Sequence, residues 1–503
     1  MNREQEGNQV FYTSLAVVFA IVIWGIISPT SFGGVANSIF DFLAGNFGWF
    51  YLTSMFSFVI FSIWIAFSKY GKIKLGKDDE EPEFSNLSWF AMLFSAGMGV
   101  GLVFWGVAEP LNHFVAPLGV EAGSQAAAEF AFEKSFFHWG LHPWANYAVL
   151  ALGLAYMQFR KEKPGLISSV FIPLIGERGA QGPIGKLIDI LAIFATVGGV
   201  ATSLGMATLQ ITSGFNYMFG IPETNFSRVI VITIITILFI ISAITGIEKG
   251  IKYLSNANVG LGAILMVLGL IVGPTVLIIN NMITGTGSYL GSIVSESLRI
   301  TGEDWYGWWT IFYWAWWIAW APFVGTFVAR ISKGRTIREF VGGVLLAPTL
   351  ASIAWFSIFG TLGIETGLEF GEQVVAAGEE TALFMVMEHY PLGGVVSLVA
   401  VVLLTTFFIT SADSATFVLG TMSSNGDLNP TTRRRVTWGL IQSGLALALM
   451  LAGGEEALGM LQTGSIAAAF PFAFIMLFCM VALVKALRED YKLNFEEEST
   501  KNS

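Results

Sequence analysis

The sequence predicts an all-α integral membrane protein with twelve transmembrane helices. Three observations carry this reading. The chain of 503 residues is 54% hydrophobic and only 12% charged, about half the roughly 25% charged content of ordinary soluble domains. Twelve runs reach the length of about 20 mostly apolar residues that a spanning helix needs. Of the 26 Lys and Arg residues, 23 fall on one side if each run crosses once, as expected when basic loops stay cytoplasmic. The composition excludes a soluble globular fold and a disordered chain. A net charge of −10 without a long basic run excludes nucleic-acid binding. Cys479 is the only cysteine, so no disulfide framework exists within the chain.

The runs lie at 10–29, 48–68, 88–108, 137–157, 187–216, 228–247, 257–280, 306–329, 341–363, 393–419, 435–453 and 460–484. The first is too long for a signal peptide and lacks a small-residue cleavage site, so it reads as a helix. An even number of crossings puts both termini on the basic, cytoplasmic side. The acidic stretch 78–83 (DDEEPE) separates residues 1–87, with two peripheral helices, from a ten-helix core. The tail 485–503 is short and carries no large basic surplus. The opposite side is acidic: Glu365, Glu369, Glu372, Glu379, Glu380 and Glu388 occur between runs nine and ten without a Lys or Arg. A solvated outer surface and attraction of cations toward an entrance both fit that stretch.

Polar and aromatic residues interrupt the apolar runs. Run three contains Gly97-Met98-Gly99-Val100-Gly101, a backbone that leaves helical geometry cheaply. Such a segment serves close helix packing, or it unwinds where it lines a cavity. Run ten ends in Thr410-Ser411-Ala412-Asp413-Ser414-Ala415-Thr416. Its oxygens suit a hard cation, and an intramembrane carboxylate such as Asp413 is either functional or a hydrogen-bonded structural group. Run five carries Thr196, Thr202 and Ser203, whose hydroxyls commonly return to their own helix. Run eight is dense in tryptophan, with Trp314, Trp316, Trp317 and Trp320 well inside the span. Run four adds His138, Trp139, His142, Trp144 and Tyr147, with Pro143 as a possible kink. Several electron-rich rings suit a quaternary ammonium group, which has no N–H to donate and is recognised by cation–π contact. Ordinary aromatic packing is the competing reading.

The runs GMGVGLVFWGVAEP (97–110), HWGLHPWANY (138–147), FYWAWWIAWAPFVGTFVARISKGRTIREF (312–340) and TSADSAT (410–416) resemble the betaine/carnitine/choline transporter family. The resemblance covers nearly the whole chain and is greatest to bacterial sodium-coupled glycine betaine transporters. It implies two inverted five-helix repeats, helices 3–7 within 88–305 and helices 8–12 within 306–484, in a leucine-transporter-like core, and a homotrimer. It implies an aromatic box of Trp139, Trp144, Tyr147, Trp316, Trp317 and Trp320, with Gly97, Met98 and Gly99 meeting the substrate carboxylate. It implies that Trp314 lies on the inner substrate pathway. A sodium site would use Ser95, Met98, Phe407, Thr410 and Ser411. A second would pair Thr196 with another threonine near Phe323, but the matching position here is Val200, which removes one hydroxyl ligand.

The expected activity is uptake of a betaine-type solute, glycine betaine first, by sodium symport and alternating access for osmoprotection. The expected setting is a bacterial plasma membrane. Sodium is the coupling ion, and no organic cofactor is expected. The alternatives are a sodium-independent exchanger of carnitine-like substrates and a symporter for choline or ectoine. A pore should show repeated polar or charged rings, and an enzyme should show a nucleophile–base or metal constellation. The sequence shows neither.

Overall fold

A computed structural model describes residues 3–97, 99–245, 248–301 and 304–492. In chain order the helices are α1 (Arg3–Ile27), α2 (Pro29–Phe67), α3 (Asn86–Gly97), α4 (Val100–Val115), α5 (Gln125–Trp139), α6 (Leu141–Ala155), α7 (Ile172–Gln181), α8 (Pro183–Phe219), α9 (Asn225–Thr245), α10 (Glu248–Val272) and α11 (Thr275–Ser297). They continue as α12 (Asp304–Ile331), α13 (Ile337–Ile364), α14 (Leu368–Ala377), α15 (Ala382–Met387), α16 (Gly393–Met422), α17 (Thr432–Gly453) and α18 (Ala457–Tyr491). Among the described residues the only strand-like pairing is one bridge between Lys74 and Thr336.

Ten of these helices are long and apolar enough to cross a bilayer. They overlap ten of the twelve expected runs, although the run at 257–280 breaks at Gly273-Pro274, where α10 ends at Val272 and α11 begins at Thr275. The other two, 88–108 and 137–157, are not continuous. The first divides into α3 and α4 around the glycine run, with Gly99 extended at φ −124 and ψ −164 ahead of α4. The second divides into α5 and α6 at Gly140 (φ −88, ψ −126). The expected kink at Pro143 is therefore replaced by a break three residues earlier. Pro143 falls in the first turn of α6, where its missing N–H costs nothing. The stretch 30–47, expected as a connection, is helical, because α2 runs unbroken for 39 residues.

The outer helices show why the chain needs lipid. On α9, Phe226, Ile230, Ile234, Ile237, Leu238 and Ile241 are exposed, while Val231, Ile232, Ile235 and Phe239 are buried. The two sets follow the helical period. The buried set packs on α16 and α17, and Thr236 Oγ1 donates to Ser443 Oγ at 2.8 Å. Around the centre, α12 packs on α6, α8 and α18, and α13 packs on α4.

One end of the bundle is tied by backbone pairing. Leu75 N donates to Arg335 O (2.8 Å), Gly334 N to Leu75 O (2.8 Å) and Ile337 N to Ile73 O (2.9 Å). Lys333 pairs with Glu80 at 2.5 Å and holds that carboxyl below its ordinary range, chiefly by hydrogen bonding. The Arg335 guanidinium lies 3.9 Å over the Trp89 ring and donates to Asn86 Oδ1 and Phe84 O. The acidic stretch 78–83 is thus pinned against the loop before α13.

Gly334 has φ +81, and a Cβ there would lie 2.4 Å from Glu81 O. Gly334→Ala is expected to destabilise this junction by about 1–2 kcal/mol or more, since a left-handed alanine costs that much before any clash. A lowered thermal unfolding midpoint of the detergent-solubilised protein would show it; an unchanged midpoint would contradict the tight junction.

Candidate substrate and ion site

The breaks in the two short-helix pairs and the tryptophans of α12 meet at one cavity of about 910 Å³. Gly99, Val100 and Gly101 line it from the start of α4; Trp139, Pro143, Trp144 and Tyr147 from α5 and α6; Trp316, Trp317, Trp320 and Phe323 from α12; Phe407, Thr410 and Ser411 from α16. The cavity reaches the surface beside Phe84, Ser88 and Phe327, at the end where 69–83 and 332–337 pair. Toward the other end of α12, Trp105 packs on Trp309 (5.4 Å) and Tyr313 (5.8 Å), and His113 packs on Trp309 (4.5 Å). Those rings close the cavity on that side.

The aromatic walls have defined faces. Trp316 and Trp317 stack at 4.7 Å with 17° between planes. Trp139 meets Trp317 edge-on at 4.8 Å, and Trp144 meets Tyr147 edge-on at 5.5 Å. The indole N–H groups are turned to protein acceptors. Trp317 Nε1 donates to His138 O (3.0 Å), Trp320 Nε1 to Gly199 O (2.8 Å) and Trp316 Nε1 to Ser203 Oγ (3.3 Å). These bonds fix the ring planes. Gly101 permits the approach: a Cβ there would lie 2.7 Å from Trp316 Cη2 and 2.8 Å from Trp139 Cη2.

Trp139 is anchored by a group that the sequence reading passed over. Its Nε1 donates to Glu109 Oε2 at 2.7 Å. Tyr313 OH donates to the same oxygen at 2.5 Å, and His138 Nδ1 bonds Oε1 at 2.6 Å. Glu109 is fully buried. Three donors on one carboxylate are what a buried charge requires. The signal was present as a lone carboxylate inside an apolar run. His113 completes a Glu109–His113–His138 group compact enough to consider for a metal. The 2.6 Å carboxylate–imidazole contact is instead a hydrogen bond. Its atoms are closer than two ligands of one ion, given ligand–metal distances near 2 Å in tetrahedral sites. His142 takes no part, because the break at Gly140 sends it to Ser297 Oγ at 2.8 Å.

On the opposite wall, Thr410 Oγ1 donates to Thr406 O (3.0 Å) and accepts from Asn258 Nδ2 (3.2 Å). Asn258 is buried, and its Oδ1 has no hydrogen-bond partner among the described residues. It was also missed, although Ser255, Asn256 and Asn258 form a polar cluster in an apolar run. Ser95 and Gly97 fall in the last turn of α3, and Met98 lies outside the described residues. Asp413 faces away from the aromatic rings and pairs with Arg435 at 3.4 Å.

Two expected site residues do not line the cavity. Trp314 is fully buried, stacked on His142 at 4.9 Å and packed edge-on against Phe137 at 5.1 Å. It lies two positions before Trp316, which turns it about 200° around the helix and off the cavity wall. Thr196 is also buried, and its hydroxyl returns to Ala192 O at 2.8 Å. Val200 and Phe323 do line the cavity, so the hydroxyl-free position is the one that faces it.

An apolar helical bundle with interrupted helices around a ring-lined cavity is the construction of a membrane transporter. The profile described as "BCCT, betaine/carnitine/choline family transporter" matches residues 9–492. The chain belongs to this family of transporters and is not an enzyme. It is 50% identical over 490 residues to the glycine betaine transporter OpuD of Bacillus subtilis (strain 168), covering 96% of this chain and 95% of the relative. It is 47% identical to a probable glycine betaine transporter of Desulfitobacterium hafniense (98% and 99% covered). It is 44% identical to an ectoine/hydroxyectoine transporter of Virgibacillus pantothenticus (98% and 99% covered).

The anchoring of Trp139 gives a direct test. Glu109→Ala strands buried donors and should destabilise the protein by roughly 3–5 kcal/mol, the cost of breaking a buried charged network. Glu109→Gln keeps an acceptor for Trp139 and Tyr313, and can donate to His138 once that imidazole takes its other tautomer, so it should keep most of that stability. Comparing thermal midpoints checks this; equal losses in both variants would contradict the network.

Proposed function

We propose that the protein takes up glycine betaine by sodium symport through alternating access, and that this serves osmoprotection. The observation that carries the reading is the pairing, in one cavity, of indole faces with the hydroxyls of Thr410 and Ser411. The faces of Trp316, Trp317 and Trp320 suit the trimethylammonium head. Each desolvated cation–π contact contributes about 2 kcal/mol. Gly97, Met98 and Gly99 would meet the carboxylate through backbone N–H groups, which the extended Gly99 ahead of α4 supports. Thr410 and Ser411, with carbonyls of Ser95, Met98 and Phe407, supply the hard oxygen ligands that sodium needs. Two curated relatives that carry the name glycine betaine transporter support the substrate.

The broken segments α3–α4 and α5–α6 count as two further crossings, which makes twelve. Both termini then lie in the cytoplasm of a bacterial cell, helices 3–7 and 8–12 form the two inverted repeats, and the assembly is a trimer. The cavity opens toward the cytoplasm, and the Trp105–Trp309–Tyr313 packing is the closed outer side. One sodium suffices energetically. A tenfold gradient and a 100 mV potential together supply about 3.7 kcal/mol, which supports nearly 10³-fold accumulation. Val200 in the cavity wall and the self-bonded Thr196 favour this single-sodium stoichiometry. The ectoine/hydroxyectoine relative at 44% identity supports a second substrate, whose delocalised cation can stack on the same rings.

Proteoliposomes loaded without sodium should accumulate radiolabelled glycine betaine under an inward sodium gradient, and not with potassium in its place. Replacing both Thr410 and Ser411 by Ala should raise the sodium concentration for half-maximal uptake. Equal uptake in both salts would replace symport with exchange or facilitated flux. Trp317→Ala should weaken glycine betaine binding by one to two orders of magnitude; unchanged affinity, read by isothermal calorimetry, would remove the box from the site.

A further inference from the structure

The break at Gly140 divides the aromatic box. Trp139 ends α5, while Trp144 and Tyr147 stand on α6. The angle between these helices therefore sets the separation of the rings. Gly140 has no side chain to cap α6, and the freed N–H of Leu141 must find an acceptor. It donates to the hydroxyl of Tyr289 at 2.9 Å. Tyr289 belongs to α11, which lies outside the ten apolar spans and packs on α5 and α13.

The fit around that hydroxyl is close. Tyr289 is buried, with 1% of its surface exposed. A Cβ on Gly140 would lie 2.7 Å from its oxygen. One turn earlier, Gly285 brings α11 against α5, since a Cβ there would lie 2.8 Å from Phe136 and 2.9 Å from Phe132. Further along, Ser297 Oγ donates to Ile293 O and so accepts from His142 Nε2. Glu296 pairs with the buried Lys134 of α5. The helix is thus fastened to both halves of the broken segment, to α5 through Lys134 and to α6 through Leu141 and His142.

We propose that Tyr289 is a positioning residue for substrate binding: its hydroxyl caps α6 at the break and fixes the spacing of Trp139 against Trp144 and Tyr147. The inference rests on the reading of the cavity as a glycine betaine site. Without the hydroxyl, the Leu141 N–H, in a partly buried position, loses its acceptor, and the break relaxes to recover a bond. The cost falls on the ring spacing and hence on the bound substrate.

The test is glycine betaine binding to the purified full-length protein, read by tryptophan fluorescence, with uptake kinetics in proteoliposomes. Tyr289→Phe removes one oxygen and should raise Kd and KM about tenfold, with the maximal rate and thermal midpoint near wild type. Ser297→Ala, which loosens His142 instead, should raise Kd about threefold in the same assay. It carries the test if Tyr289→Phe does not fold. A wild-type Kd in both variants, or a lowered midpoint with unchanged Kd, would overturn the inference and leave α11 as support for the fold. A wild-type protein that shows no glycine betaine response would overturn the substrate reading, and this inference with it.

Discussion

Interrupting a helix inside a bilayer exposes backbone groups that no water can satisfy, and the architecture around the cavity follows from that constraint. Every broken turn must find a donor or acceptor in the protein. At Gly140 the partner is a tyrosine hydroxyl from another helix. Near Gly99 the backbone faces a cavity instead, where a polar ligand can take the protein's place. The two breaks therefore differ in kind. One is closed by the fold, and the other is left open for chemistry.

The rings around the open break are held by the same logic. Indole N–H groups are poor neighbours for a cation, because their dipole points the wrong way. Here those of Trp139, Trp316, Trp317 and Trp320 are each spent on a protein oxygen. What these four rings leave for the cavity is chiefly π surface. A buried carboxylate at one corner of this arrangement fixes Trp139 and Tyr313 together, so the box and the packed rings beyond it share one anchor.

Much of this was legible in the sequence. Ten of the expected spans overlap helices of spanning length because apolar length largely determines them, though the span at 257–280 ends early at Gly273-Pro274. The six box residues all line one cavity, as motif and helical spacing implied. The rest needed coordinates. The break at Gly140 was hidden by Pro143, the louder signal, although a glycine without a Cβ gives way more readily than a proline in a first turn. Trp314 sits in the same tryptophan run as its neighbours, but two residues of offset turn it to the other face. Glu109 stood alone beside an apolar run and Asn258 in a short polar cluster, and neither pattern announces which helix will answer it. Tyr289 had no sequence signal, since a tyrosine on a connecting helix resembles any other.

The long second helix carries a mechanical implication. Large apolar side chains are exposed on α2 in two stretches, from Val35 to Trp49 and from Ile60 to Phe67, along a helix of 39 residues that is about 58 Å long at helical rise. The hydrocarbon core is about 30 Å thick. A helix longer than that core is accommodated by tilting, by local thickening of the bilayer or by extending beyond it. A leaning rod has a broad lipid footprint, and bilayer thickness then acts on it through a lever arm. This helix packs directly on α6 and α18, so a change in its tilt would bear first on the helix that carries Trp144 and Tyr147.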